Sequence, residues 1–171
     1  MKIRIGILVA VCIAAVFFYS CKITLSGAST TGLKTIYVGF FENDAPLVIP
    51  TLSQDFTEQL KARIRSTTNL SIVQTQQADA VLTGSITGYS IAPVSIQATN
   101  NNIAPIAGAS QLTITVNVKY ASDLDKKDSF EQSFSKSEQF TGDIASHQAT
   151  LIADITKQLT EDIFNKAFAN W

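Results

Sequence analysis

Residues 78–96 read ADAVLTGSITGYSIAPVSI, and this stretch decides the fold because it has the pattern of a long strand. Its residues alternate with a period of two and include recurring β-branched side chains, which is typical of a strand. Gly84 and Gly88 fall on the same side as Leu82 and Ile86. A glycine inside a strand marks a bulge or a close approach to the backbone. We therefore expect this strand near the middle of a sheet, with helices lying across its glycine face.

The rest of the chain adds shorter strands and the segments that connect them. The same alternation predicts four further strands, the last of them a polar edge strand, at residues 35–41, 70–73, 112–120 and 130–136. Proline, glycine, asparagine and clustered charge predict loops or turns at residues 42–50, 97–110 and 123–128.

Two segments have the spacing of amphipathic helices. In residues 51–67, apolar side chains recur every four positions, and Thr51 with Gln54 fits a capping box. Residues 144–168 form the longer pattern, with Asp143 as its expected N-cap. The order β-α-β-β-β-β-α predicts one α+β domain over residues 35–171. We expect a two-layer sandwich, with two helices on one face of a mainly antiparallel sheet of four to five strands.

The N-terminus predicts a lipoprotein signal peptide over residues 1–20. A basic start precedes an uncharged apolar run that ends at the small residue Ser20, as in secretory signals. The stretch FYSC, ending at Cys21, resembles a bacterial lipobox, in which the cysteine becomes the acylated first residue. The run is shorter than the roughly 20 residues that span a bilayer, and an uncleaved anchor is the alternative. We expect acylation of Cys21 and a polar tether over residues 21–34.

Composition and charge limit the class of protein. The chain has 171 residues, 46% of them apolar, which suits a single folded domain. Removal of the leader takes Lys2 and Arg4, so lysine plus arginine falls from 13 to 11 against 14 acidic residues, about −3 net. This balance argues against a nucleic-acid partner. With Cys12 in the leader and Cys21 acylated, the mature chain is left with no thiol for a disulfide.

No residue pattern indicates catalysis, a metal or a cofactor. His147 is the only histidine and has no nucleophile or orienting group at a suitable spacing. Asp123, Asp125 and Asp128 lack the glycine and terminal glutamate of a calcium loop, and two lysines interrupt them. We expect a protein that is not an enzyme.

Two surface features leave a functional and a structural interpretation open. Lys61, Arg63 and Arg65 lie near a helix C-terminus, where cations complement the macrodipole, but they also suit contact with phosphorylated lipid head groups. The loop at residues 97–110 is long for a hairpin. Its tip, with Asn101, Asn102 and Ile103, is either an idle connection or a segment that becomes ordered on a partner.

Three longer phrases follow the lipobox: FFENDAPLVIPTLSQDFTEQLKARI, TGSITGYSIAPVSI and QLTEDIFNKAFANW. Together with the lipobox they resemble the LptE family, the lipopolysaccharide-assembly lipoproteins of Gram-negative outer membranes, and the resemblance extends over residues 25–171. It implies a non-enzymatic protein anchored by its N-terminal lipid to the outer membrane and facing the periplasm. LptE proteins assemble and plug the β-barrel translocon LptD and assist insertion of lipopolysaccharide into the outer leaflet.

The resemblance therefore implies three partners: an LptD-like barrel, lipopolysaccharide and the membrane itself. Only Cys21 carries over as a functional residue, and we expect the tip residues to contact the barrel. The alternative is an accessory lipoprotein of another envelope assembly or secretion system with the same α/β sandwich.

Overall fold

A computed structural model describes residue 30 and residues 32–97, 106–124 and 126–169. The predicted signal peptide and most of the tether lie outside these residues. Nine elements follow one another along the described chain. They are β1 (Thr35–Val38), β2 (Glu42–Asn43), α1 (Leu52–Thr67), β3 (Ser71–Val73), β4 (Ala80–Gln97), β5 (Ile106–Ser122), a 3₁₀ turn (Lys126–Asp128), β6 (Phe130–Phe140) and α2 (Ile144–Phe168).

The strands form one sheet in the order β3-β1-β4-β5-β6, with β2 beside β4. The strand that we expected near the middle, β4, lies there. β1 runs parallel to β3 and β4, whereas β4, β5 and β6 are antiparallel. β1 and β3 are parallel because α1 crosses back along the sheet between them, and such a connection returns the chain in its original direction. The α+β prediction is confirmed, with a six-stranded mixed sheet instead of a mainly antiparallel one.

Both helices pack their predicted apolar stripes against the sheet. Every member of the four-residue repeat in α1 is fully buried, and the stripe of α2 is buried from Leu151 to Phe168. Asp143 caps α2 as expected, because its Oδ1 accepts a hydrogen bond from the Ala145 amide at 3.4 Å. The capping box at Thr51 is wrong. Thr51 already has helical backbone angles and makes no side-chain cap bond, since an N-cap needs extended backbone to reach the next amides.

The segment after β1 differs from the prediction. We expected a strand over residues 35–41 and a loop over 42–50, but β1 ends at Val38 and Glu42–Asn43 form β2, parallel to β4. The cause is Phe41, which is fully buried. Its ring lies 5.1 Å from that of Phe56, and its amide donates to Thr57 Oγ1 at 3.1 Å. The chain therefore leaves the sheet to bury Phe41 and then pairs with β4 again.

The two glycines of β4 do not share a helix-covered face, so that expectation is wrong. A Cβ placed on Gly84 would lie 2.6 Å from the ring of Phe41, which covers this position in place of a helix. A β-bulge between Ile86 and Gly88 shifts the alternation by one residue. Gly88 consequently faces Thr115 of β5, whose hydroxyl bonds to Ser135 on the exposed side of the sheet.

Candidate interaction site

The most prominent surface feature is the hairpin of β4 and β5. β4 has 18 residues and β5 has 17, against 11 in β6. β6 ends at Phe140, opposite Ser110 of β5, and Ser110 pairs with Pro93 of β4. Beyond that point β4 and β5 pair only with each other among the described strands. The hairpin therefore projects past β6 as a two-stranded ribbon.

The loop predicted at residues 97–110 is wrong in its bounds, because much of it is strand. Ile106 pairs with Gln97 and Ala109 with Ser95, so β5 begins before the segment that we took as a strand. Small residues such as alanine and glycine carry weak strand preference by themselves, and pairing across the hairpin decides their conformation. The predicted contact residues Asn101, Asn102 and Ile103 lie outside the described residues, and their role stays a prediction.

The hairpin carries no charge except at Lys119, near the end of β5. Every residue from 80 to 118 is uncharged, which is a sequence signal that points to this site and that the strand pattern alone does not show. Its described surface mixes hydroxyl groups with exposed apolar side chains. Ile91 is 40% exposed and Val94 is 44% exposed. An uncharged, partly apolar ribbon of this kind can be buried against a partner without leaving a charge unpaired.

The base of the hairpin is tied to the helical layer. The Tyr89 side chain is buried, and its hydroxyl accepts a hydrogen bond from Gln148 Nε2 of α2 at 3.3 Å. Burial raises the pKa of Tyr89, and the bond from Gln148 opposes that rise. Tyr89 stays a neutral phenol at physiological pH, so this anchor introduces no charge into the hairpin.

The three basic residues of α1 do not form one cluster. Lys61 Nζ lies 3.2 Å from Glu58 on the same helix. Arg63 reaches to α2, where it pairs with Glu161 at 2.7 Å and lies 5.5 Å from the ring centroid of Phe164. With about 100° of helix rotation per residue, Lys61 and Arg65 share a side and Arg63 points away from them. Arg63 therefore joins the two helices, and a contact of these residues with lipid head groups stays a prediction.

The remaining residues considered from the sequence are His147, the charged turn and Cys21. His147 is exposed on α2, with its ring centroid 6.3 Å from that of Phe140. The charged segment at residues 123–128 contains the expected turn, and Asp128 lies at its exposed 3₁₀ end. Within the described ranges, no three metal-ligating side chains gather into a group. No described helix is both long and apolar enough to span a membrane. Cys21 lies outside the described residues.

The fold and the hairpin define the class of protein: a small two-layer α+β domain with one projecting, uncharged hairpin. Solved structures with a similar fold include two bacterial lipoproteins. Lipoprotein B from Nitrosomonas europaea is 12% identical, with a TM-score of 0.54 over 77% of this chain and 80% of that one. Rare lipoprotein B from Shewanella oneidensis is 12% identical, with a TM-score of 0.51 over 77% of this chain and 92% of that one. Among curated proteins, no sequence matches the chain.

The family model for lipopolysaccharide-assembly LptE matches residues 33–167. The chain therefore belongs to the LptE family, as the sequence phrases indicated. This is a family of lipoproteins of the outer membrane that act in lipopolysaccharide assembly and are not enzymes.

Proposed function

We propose that this protein is anchored through acylated Cys21 at the periplasmic face of the outer membrane, where it assembles and plugs an LptD-like barrel and assists insertion of lipopolysaccharide. The observation that carries the proposal is the uncharged hairpin that projects past β6. The lumen of such a barrel is wet and polar. A neutral ribbon enters it without the desolvation cost of an unpaired charge.

Shortening the hairpin tests the plug. Residues 93–110 are replaced by Asn-Gly, so that Ala92 and Gln111, which pair in β4 and β5, flank a two-residue turn. We expect the isolated chain to stay folded, because shortening a loop lowers the entropy cost of closing it, by about 0.6 kcal/mol for each halving of its length. We expect co-purification with the barrel from mildly solubilised membranes to be lost. A variant with Gly-Ser-Gly in place of the tip residues Asn101, Asn102 and Ile103 separates the role of the tip from that of the ribbon.

Photo-crosslinking identifies the contact directly. Probes at Asn101 and Ile103 should capture the barrel, and a probe at the exposed Lys157 of α2 serves as the comparison. If the α2 probe captures the barrel and the tip probes do not, the hairpin is not the plug. Capture of the pore or scaffold of another envelope system in place of an LptD-like barrel would favour the accessory-lipoprotein alternative.

The lipid anchor has its own test. Stable anchoring needs more than one acyl chain, each contributing about 0.8 kcal/mol per buried CH₂. Cys21→Ala should abolish labelling with a fatty-acid analogue and leave an uncleaved or mislocalised precursor. Equal labelling of the variant and the wild-type protein would contradict acylation at Cys21.

A further inference from the structure

Along the distal half of β4, one edge pairs with no other strand among the described residues. On the side away from β5, β4 pairs with β1 at Ala80–Leu82 and with β2 at Ser85–Ile86. After Ile86, no described strand pairs with this side. A strand edge of this kind presents main-chain donors and acceptors that are free to pair with another chain.

Two main-chain hydrogen bonds fix which main-chain groups face this edge. The Leu82 carbonyl accepts from the Gly39 amide, and the Ile86 carbonyl accepts from the Asp44 amide, both at 2.9 Å. Up to Ile86, the main-chain N–H and C=O groups of the even-numbered residues therefore point away from β5, toward this edge. The bulge after Ile86 shifts the alternation by one residue. The main-chain groups of Tyr89 and Ile91 therefore point toward the edge, while those of their neighbours bond to β5.

Pro93 agrees with this assignment. Pro93 lies two residues after Ile91, so its nitrogen points toward the edge and away from β5. Its missing N–H therefore removes no hydrogen bond from the pairing with β5. A second irregularity follows between Pro93 and Ser95. The accessible edge is thus a window of residues 88–92, bounded by a bulge at one end and by a proline and a bulge at the other.

The edge window lacks the protection that the other outer strands carry. β3 has only three residues. In β6, Lys136 Nζ lies 2.8 Å from Asp162 Oδ2, and Glu138 Oε1 accepts a hydrogen bond from Gln158 Nε2 at 2.5 Å. β6 therefore carries charged side chains. Charge and short length are the usual devices that stop edge-to-edge pairing. The window in β4 has neither, and its Ile91 is 40% exposed.

We propose that the edge window takes up an extended, uncharged segment of the barrel partner by strand addition. The wall strands of a closed barrel are already paired on both sides, so the segment comes from a loop or a terminal extension of the barrel chain. The window lies on the hairpin that carries the proposed function, and the inference rests on that function. A second copy is disfavoured, because five paired residues give far less contact than the roughly 1,200–2,000 Å² of a stable interface.

Two substitutions at one position separate main-chain pairing from side-chain contact. Ile91→Pro removes an outward amide, whereas Ile91→Thr keeps the amide and replaces the apolar side chain by a polar one. With the full-length protein in its host, we expect Ile91→Pro to lower barrel co-purification about fivefold to tenfold, since a hydrogen-bond donor is lost and its acceptor is left unpaired. Ile91→Thr should lower it by no more than about twofold. Equal losses in the two variants would overturn strand addition.

Amide hydrogen exchange gives a readout that does not depend on the stability of a proline variant. In the purified wild-type complex, the Tyr89 and Ile91 amides should gain protection relative to the free protein, while Ser90 and Ala92 are already protected by β5. Absence of that gain overturns the inference even if hairpin shortening abolishes co-purification and so supports the plug. The same gain in the free protein at high concentration, with a dimer in sedimentation, would assign the edge to a second copy and overturn the proposal. Failure of the wild-type protein to capture any barrel would overturn the proposed function and the inference together.

Discussion

Gly84 has less room for a side chain than any other glycine among the described residues. An ideal Cβ on Gly84 would lie 2.1 Å from the Asn117 carbonyl oxygen of β5 and 2.6 Å from Cε1 of Phe41. Real Cβ atoms essentially never come within 3.0 Å of another heavy atom. The Phe41 ring is fully buried against Phe56, and the carbonyl belongs to the backbone of the neighbouring strand. Gly84→Ala therefore forces β4 and β5 apart or displaces the Phe41 ring.

The expected cost follows from overpacking. Adding atoms to a filled core costs about 1–3 kcal/mol, and a clash with backbone places Gly84→Ala near the upper end. The smaller conformational entropy of the unfolded alanine chain offsets about 0.4–1 kcal/mol of this. We expect a net loss of about 2 kcal/mol in the free energy of unfolding. Gly88→Ala is the matched control, because its Cβ would come no closer than 3.2 Å to Thr115, whose backbone nitrogen lies at 3.8 Å, and the same entropy gain applies.

Urea unfolding of the protein without its leader and acylated cysteine measures the free energy of unfolding of both variants and of wild type. For a domain of this size, about 2 kcal/mol corresponds to a melting temperature lower by roughly 5–10 °C. Gly88→Ala should stay within about 0.5 kcal/mol of wild type. An unchanged midpoint for Gly84→Ala, or a larger loss for Gly88→Ala, would refute the packing assignment.

Three further predictions concern charged and titrating groups. In a double-mutant cycle of unfolding free energies, Arg63→Ala and Glu161→Ala should show a coupling energy of about 0.5–1 kcal/mol. Salt should reduce this coupling energy because the pair is partly exposed, and a coupling energy of zero would contradict an ion pair between the helices. Hydrogen bonds from the amides of Lys34 and Thr35 lower the pKa of Asp79 below 3.8, so its contribution to stability is complete above that pH and is lost as the pH falls through the lowered pKa. Asp79→Asn should therefore lower the unfolding midpoint more at pH 5 than at pH 2, and an equal loss at the two pH values would contradict a stabilising role of the Asp79 carboxylate. Burial, and then the charge of Asp128, raises the pKa of Tyr120 to about 12, so stability should fall between pH 10 and pH 12 as the unfolded state ionises first. Tyr120→Phe should reduce that fall, and an unchanged fall would contradict the contribution of Tyr120.

Local pattern was sufficient for the elements whose residues repeat with a clear period. The four-residue repeat of α1, the stripe of α2 with its Asp143 cap and the alternation in β5 each report which face is buried, because burial imposes the period of the element. The family resemblance followed from the same stretches, and residues 33–167 match the family model. These features depend on neighbours that are close in sequence.

The tertiary structure decided the features that depend on partners distant in sequence. The two residues of β2 form a strand only because Phe41 finds a place against Phe56 and returns the chain to β4. The bulge after Ile86 changes the face of residues 88–93 in β4, and a period of two cannot show where such a shift occurs. The small residues at the start of β5 become strand by pairing across the hairpin. The projecting ribbon and its unpaired edge therefore appear only when the strand register is known, since pairing energy and not local preference sets their conformation.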